Sequence, residues 1–253
     1  MRPQDLTLRG AVDQCVQAIS SIDGTLLRSF RCLITRPGAL TIANLHGQRK
    51  SFTLPLQLFL VANVLFFALQ SLTGVKVFST PLEMHLHDQA WSGIAEDLVK
   101  RHLEKTGTNL TAYTPVFNQA VALNAKSLVV LMVLPFALLT PIVFWRNRQP
   151  LVAHLVFSVH LYTFLLLLFS LALVATGGDL LLGGPGLASP SFDHGLSIVE
   201  MLACGAYLYL AMGPVYRATG LLRIFQSVVL VMAVAVIVLA YRFTLLLITL
   251  YST

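Results

Sequence analysis

Five apolar runs, each long enough to cross a bilayer, leave this chain little freedom in how it can fold. They fall at about 54–73, 127–145, 154–176, 196–216 and 224–250, and roughly 20 apolar residues suffice for a helix to cross about 30 Å of hydrocarbon. Lipid offers backbone N–H and C=O groups no partner, so each run must satisfy its hydrogen bonds internally, as a helix. The period-two alternation required of a membrane barrel is absent. The expected fold class is all-α: a polytopic membrane helix bundle with about five transmembrane helices, preceded by amphipathic interfacial helices.

Composition supports the same class. Hydrophobic residues make up 56% of the 253 and charged residues 11%, against about 25% charge in an ordinary soluble domain. Little length remains for a soluble domain. The expected division is a basic cytoplasmic amphipathic segment at 1–53 and a transmembrane helical domain at 54–253, with an extracytoplasmic loop at 74–126. The net charge of +6 lies on the flanks of apolar runs, which points to anionic lipid headgroups as partner and not to nucleic acid. The N-terminus lacks the continuous apolar core of a cleavable signal, so the first span is expected to direct insertion.

Lys and Arg in short flanks set orientation. Residues 1–53 hold seven of them against three Asp; Arg146 with Arg148, and Arg217 with Arg223, follow the second and fourth runs. Segment 74–126 balances five bases with five acids, and 177–195 carries only acids. A multi-pass protein of the bacterial inner membrane is expected, with the N-terminus in the cytoplasm and the C-terminus outside.

Local patterns refine this picture. Pro55 suits a first helical turn, whereas Pro135 and Pro141 remove donors inside the second run and predict a kink. Leu8, Val12, Cys15, Val16 and Ile19 form one helical stripe; Leu26, Leu27, Phe30, Leu33 and Ile34 form another, with Asp23 as a candidate N-cap and Arg36-Pro37-Gly38 as a stop. Such stripes suit the membrane interface, or a protein partner. In the outer loop Trp91, Ile94, Ala95, Leu98 and His102 share a face, with Glu96–Lys100 and Asp97–Arg101 as i,i+4 pairs opposite.

Asp23-Gly24-Thr25-Leu26-Leu27-Arg28, Arg36-Pro37-Gly38, Gly47-Gln48-Arg49-Lys50 and Pro55, preceded by Leu6-Thr7-Leu8-Arg9, follow one another in an order that resembles the bacterial membrane family of domain of unknown function 3667. The likeness continues through Pro135-Phe136-Ala137, the Arg146–Arg148 turn, His154-Leu155-Val156-Phe157 with His160 and Phe164, and Tyr207-Leu208-Tyr209-Leu210. The resemblance implies a membrane architecture and no defined activity. Relatives often begin with a cysteine-rich zinc-ribbon-like segment, which this sequence does not contain. They also often place an acid before the first histidine and a further histidine near the second, where this sequence has Ala153 and Tyr162.

Arg28, Arg36, Arg49 and Lys50 are the candidate lipid or interface contacts, because each basic residue near an anionic surface contributes about 1 kcal/mol. Arg31 is accounted for by the positive-inside rule alone. His154, His160, Glu200 and Arg242 are the candidate intramembrane polar site, since charges within spans tend to face the bundle interior and to pair. Six helical residues separate the two histidines by about 120° of azimuth, which opposes one metal taking both. Glu200 and Arg242 fall at similar depth, and an ion pair between them is expected. A second histidine group, Met84-His85-Leu86-His87-Asp88 with His102, has donors for zinc but no strong ligand spacing.

Neither a GxSxG elbow nor a Walker loop occurs, so no catalytic residue and no cofactor is expected. The leading expectation is a non-enzymatic lipid- or partner-binding membrane protein. The alternatives are a small permease subunit with Asn63, His160, Glu200 and Arg242 along a path, and a membrane-embedded metal-dependent enzyme using its histidines.

Overall fold

A computed structural model describes residues 24–48, 51–147 and 149–253. The Leu8–Ile19 stripe, Asp23, Arg49, Lys50 and Arg148 lie outside those residues. The described chain is helical without strands: α1 (Gly24–Thr35), α2 (Ala39–Leu45), α3 (Pro55–Thr73), α4 (Leu82–His87), α5 (Ser92–Thr106), α6 (Leu110–Leu128), α7 (Val133–Val143), α8 (Leu151–Leu181), α9 (Pro190–Tyr216) and α10 (Gly220–Ser252). Short 3-10 turns occupy Val129–Met132 and Gly186–Ala188.

Five stretches are long and apolar enough to cross a membrane: Pro55–Thr73, Leu110–Val143, Leu151–Leu181, Ser191–Tyr216 and Gly220–Ser252. Their alternation puts α1, α2 and the turns at 144–147 and 217–219 at one end of the bundle, here the basic end. Helices α4 and α5 and the 182–189 turn lie at the other. The chain is a multi-pass helical membrane protein.

Helix α8 is central. In its most apolar window 61% of residues are buried, against 28% to 39% in the other four spans. The remaining spans keep apolar faces outward, with Val64, Leu138, Ile142, Leu202 and Val236 exposed, as lipid contact requires.

The second span starts at Leu110, well before the apolar run. Its early turns carry Thr111, Thr114, Asn118 and Asn124, which lower hydropathy, but packing keeps them helical. Tyr113 Oη meets Thr253 Oγ1 at 2.6 Å, Asn124 donates to Thr249 Oγ1 and Tyr241 donates to the Ala125 carbonyl, tying α6 to α10. The 3-10 turn at Val129–Met132 and Pro135 mark the expected interruption. Pro141 frees the Ala137 carbonyl, and the Thr140 hydroxyl donates to that oxygen at 3.2 Å. Pro214 likewise frees the Leu210 carbonyl, which accepts from Arg223 Nη2 at 3.3 Å. Arg223 thereby repairs a helix break as well as carrying charge.

Helix α5 occupies the expected place with a rotated face. Ala95 and Val99 are buried while Ile94 is exposed, because Trp91 packs against Phe243 of α10.

Candidate functional site

The basic end is built from the segment between α1 and α3. Helix α1 stops at Thr35, where Pro37 removes a donor and Gly38 takes a left-handed conformation with φ 85°. The chain then forms α2, which enters the bundle instead of remaining at its surface: Leu40, Thr41 and Ala43 are buried against α8 and α9. A Cβ on Gly38 would lie 2.7 Å from the Ala211 carbonyl oxygen and 2.9 Å from Pro214 Cγ. Only glycine fits both the dihedral and the space. Ser29 closes the unit by donating to the Thr25 carbonyl and accepting from the Thr53 N–H at 2.9 Å.

On the outer side of this unit, Arg28, Arg31, Cys32, Thr35, Arg36 and Phe52 line a concavity of about 510 Å³. Arg28 and Arg36 are thus brought together, and Arg31 joins them. The i,i+3 spacing of Arg28 and Arg31, which puts both on one helical face, was the signal that could have included it. Burial pushes the Cys32 thiol above its usual range, opposed by the neighbouring Arg36 guanidinium, so the groove offers guanidinium groups and no thiolate. Leu27 and Ile34 of the same helix stay exposed, a pairing of apolar and basic surface suited to an interface.

Inside the bundle the histidines occupy two separate places. His160 is buried, its Nδ1 lying 2.8 Å from Thr41 Oγ1 of α2 and its Nε2 without a partner. His154 Nδ1 lies 3.0 Å from Tyr216 Oη and 3.1 Å from Thr140 Oγ1. Thr140 also donates to the Ala137 carbonyl, so the His154 ring, the Tyr216 hydroxyl and the Thr140 hydroxyl form one buried hydrogen-bonded group. Tyr216 is itself clamped by a parallel stack on Phe144, with centroids 3.9 Å apart. These contacts dock α2, α7 and α9 onto α8.

The expected Glu200–Arg242 ion pair does not form. Arg242 Nη2 donates to the Val77 carbonyl at 3.1 Å, leaving Nε without a partner. The loop after α3 folds back against α10 and supplies this acceptor, while Glu200 makes no hydrogen bond among the described residues. Asn63 donates to the Lys126 carbonyl and so joins α3 to α6. Asn63, His160 and Arg242, weighed with Glu200 as a path, each hydrogen-bond a different neighbour.

At the opposite end His85 is fully buried and accepts from Trp91 Nε1 at 3.3 Å. Burial, and secondarily Arg242, push its pKa down to about 4. His87 is exposed and His102 packs on Tyr113. Among the described residues no three His, Cys, Asp or Glu side chains group closely enough to hold a metal ion.

The fold and this site define a helical multi-pass membrane protein with an arginine-rich groove in its N-terminal unit. Residues 23–67, which include α1, α2 and most of α3, match the sequence model of a family described as protein of unknown function (DUF3667). The resemblance noted above is thus shown over the segment that builds the arginine groove and seats Thr41 on His160. No curated protein and no solved structure matches the chain.

Proposed function

We propose that this chain is a non-enzymatic protein of the bacterial cytoplasmic membrane that binds anionic lipid headgroups through the arginine groove of α1. The convergence of Arg28, Arg31 and Arg36 on one concavity beside exposed Leu27 and Ile34 carries this reading. The basic end faces the cytoplasm in it, because the Lys and Arg excess of the short flanks lies there. Arg49 and Lys50 follow in the same basic stretch of sequence and add to the attraction.

Three guanidinium groups at about 1 kcal/mol each give on the order of a hundredfold preference for an anionic over a zwitterionic surface. The test is native mass spectrometry of the purified chain with matched anionic and zwitterionic phospholipids, wild type against the triple change Arg28→Gln, Arg31→Gln and Arg36→Gln. The triple change should remove most of the preference while the protein remains inserted. An unchanged preference would refute the groove as the headgroup site.

A further inference from the structure

A second concavity, of about 490 Å³, opens at the basic end between α7, α9 and α10, within the roughly 300–1,000 Å³ of small-molecule sites. Its polar lining includes Arg146, Asn147, Arg217, Thr219 and Gln226, with Phe144, Trp145 and Phe225 among its apolar walls. Among the described residues no Asp or Glu lines it. We propose that this cleft takes the phosphoglycerol headgroup of a membrane lipid, with the phosphate between Arg146 and Arg217 and a glycerol hydroxyl on Gln226.

The walls are fixed in advance. Asn147 Nδ2 donates to the Tyr216 carbonyl, joining the 144–147 turn to the end of α9, and the Phe144–Tyr216 stack holds the same joint. Arg217 ends α9 with φ 53°, the one described non-glycine residue in the left-handed region. Such a conformation is unfavourable for a residue with a Cβ and persists only where the surroundings impose it. Here it turns the chain at Arg217, directly on the cleft wall.

Gln226 decides among headgroups. Its Nε2 donates to the Val143 carbonyl at 3.2 Å, which fixes the amide orientation, and its Oε1 is buried without a donor. An unsatisfied buried acceptor is costly, and because Gln226 lines the cleft, a small side-chain shift that turns Oε1 into it lets a ligand donor relieve that cost. Phosphatidic acid brings no headgroup hydroxyl. An ethanolamine ammonium would donate, but two guanidinium groups would repel it with no acid to offset them. A glycerol hydroxyl donates without charge. Exposed Leu222 and Phe225 line the cleft and offer apolar surface to the acyl chains.

The inference rests on the membrane location but not on the α1 groove. The full chain in mild detergent is titrated with phosphatidylglycerol, phosphatidylethanolamine and phosphatidic acid of identical acyl chains, and bound lipid is counted by native mass spectrometry. Arg146→Gln with Arg217→Gln should weaken phosphatidylglycerol retention at least tenfold and remove one bound lipid. The α1 triple variant should keep that lipid. Gln226→Met, which preserves volume, should erase the preference for phosphatidylglycerol over phosphatidic acid while leaving phosphatidic acid bound. Unchanged phosphatidylglycerol retention in the Arg146 and Arg217 double variant overturns the proposal, and if the α1 triple variant alone loses lipid, the groove reading survives without it. Loss of phosphatidylglycerol and phosphatidic acid in equal proportion on Gln226→Met overturns the hydroxyl assignment.

Discussion

Replacing Gly38 by alanine tests whether α2 is docked as described. Two costs apply. The residue sits at φ 85°, where a Cβ costs roughly 1–2 kcal/mol. The added carbon would also meet the Ala211 carbonyl oxygen at 2.7 Å and Pro214 Cγ at 2.9 Å. Neither neighbour is a flexible side-chain end, so the clash must move α2 or α9, an overpacking cost of about 1–3 kcal/mol. Gly47 supplies the control: it is also left-handed, at φ 75°, but nothing lies within 4 Å of its Cβ position, so Gly47→Ala bears only the first cost. Thermal unfolding in detergent should place Gly38→Ala below Gly47→Ala by roughly 1–3 kcal/mol, or about 2–12 °C at the 2–4 °C per kcal/mol expected for a chain of this size. Equal melting temperatures would show that Gly38 does not abut α9, and the seating of Thr41 on His160 would lose its basis.

Thr41→Val should destabilise by about 1–3 kcal/mol because it strands His160 Nδ1 beside an already unpartnered Nε2, while Thr41→Ser should recover most of the loss; equal stability of the Val and Ser variants would count against the bond. Tyr216→Phe keeps the stack on Phe144 but removes the hydroxyl hydrogen-bonded to His154, at about 1 kcal/mol, and a double-mutant cycle with His154→Ala should be non-additive; strict additivity would separate the two side chains. His85 has a folded pKa of about 4, below its unfolded value near 6.5, so its neutral form stabilises the fold above about pH 6.5 and that contribution is lost as pH falls toward 4. Between pH 6.5 and 5 the loss should be on the order of 2 kcal/mol, absent in His85→Gln; identical pH profiles would rule it out. For orientation, a membrane-impermeant thiol reagent should label a cysteine placed at Gly93 in intact spheroplasts and leave one placed at Ser51 unlabelled until the membrane is opened; the reverse pattern would invert the topology.

The sequence by itself determined the class of fold, because the cost of burying polar backbone in lipid depends on local composition and forces each long apolar run into a helix. It also marked the interruption near Pro135 and the stop at Arg36-Pro37-Gly38, since proline acts through its own missing donor and glycine through its own dihedral freedom. Only the tertiary structure decided where the second span begins: Asn124, Tyr113 and Ala125 stay in helix α6 through Thr249, Thr253 and Tyr241 of a span more than a hundred residues away. The same holds for the histidines, whose azimuths on α8 could be counted but whose partners, Thr41 and Tyr216, come from α2 and α9. Arg242 could be recognised as a charge in need of a partner, yet its acceptor is the Val77 carbonyl, because the loop after α3 folds back over α10. Arg31, set aside as a generic flank charge, became part of the groove when Phe52 closed against α1. Hydropathy and helical phase are properties of neighbours in sequence, whereas a hydrogen bond or a cleft depends on which helix the bundle places opposite, and that choice belongs to packing.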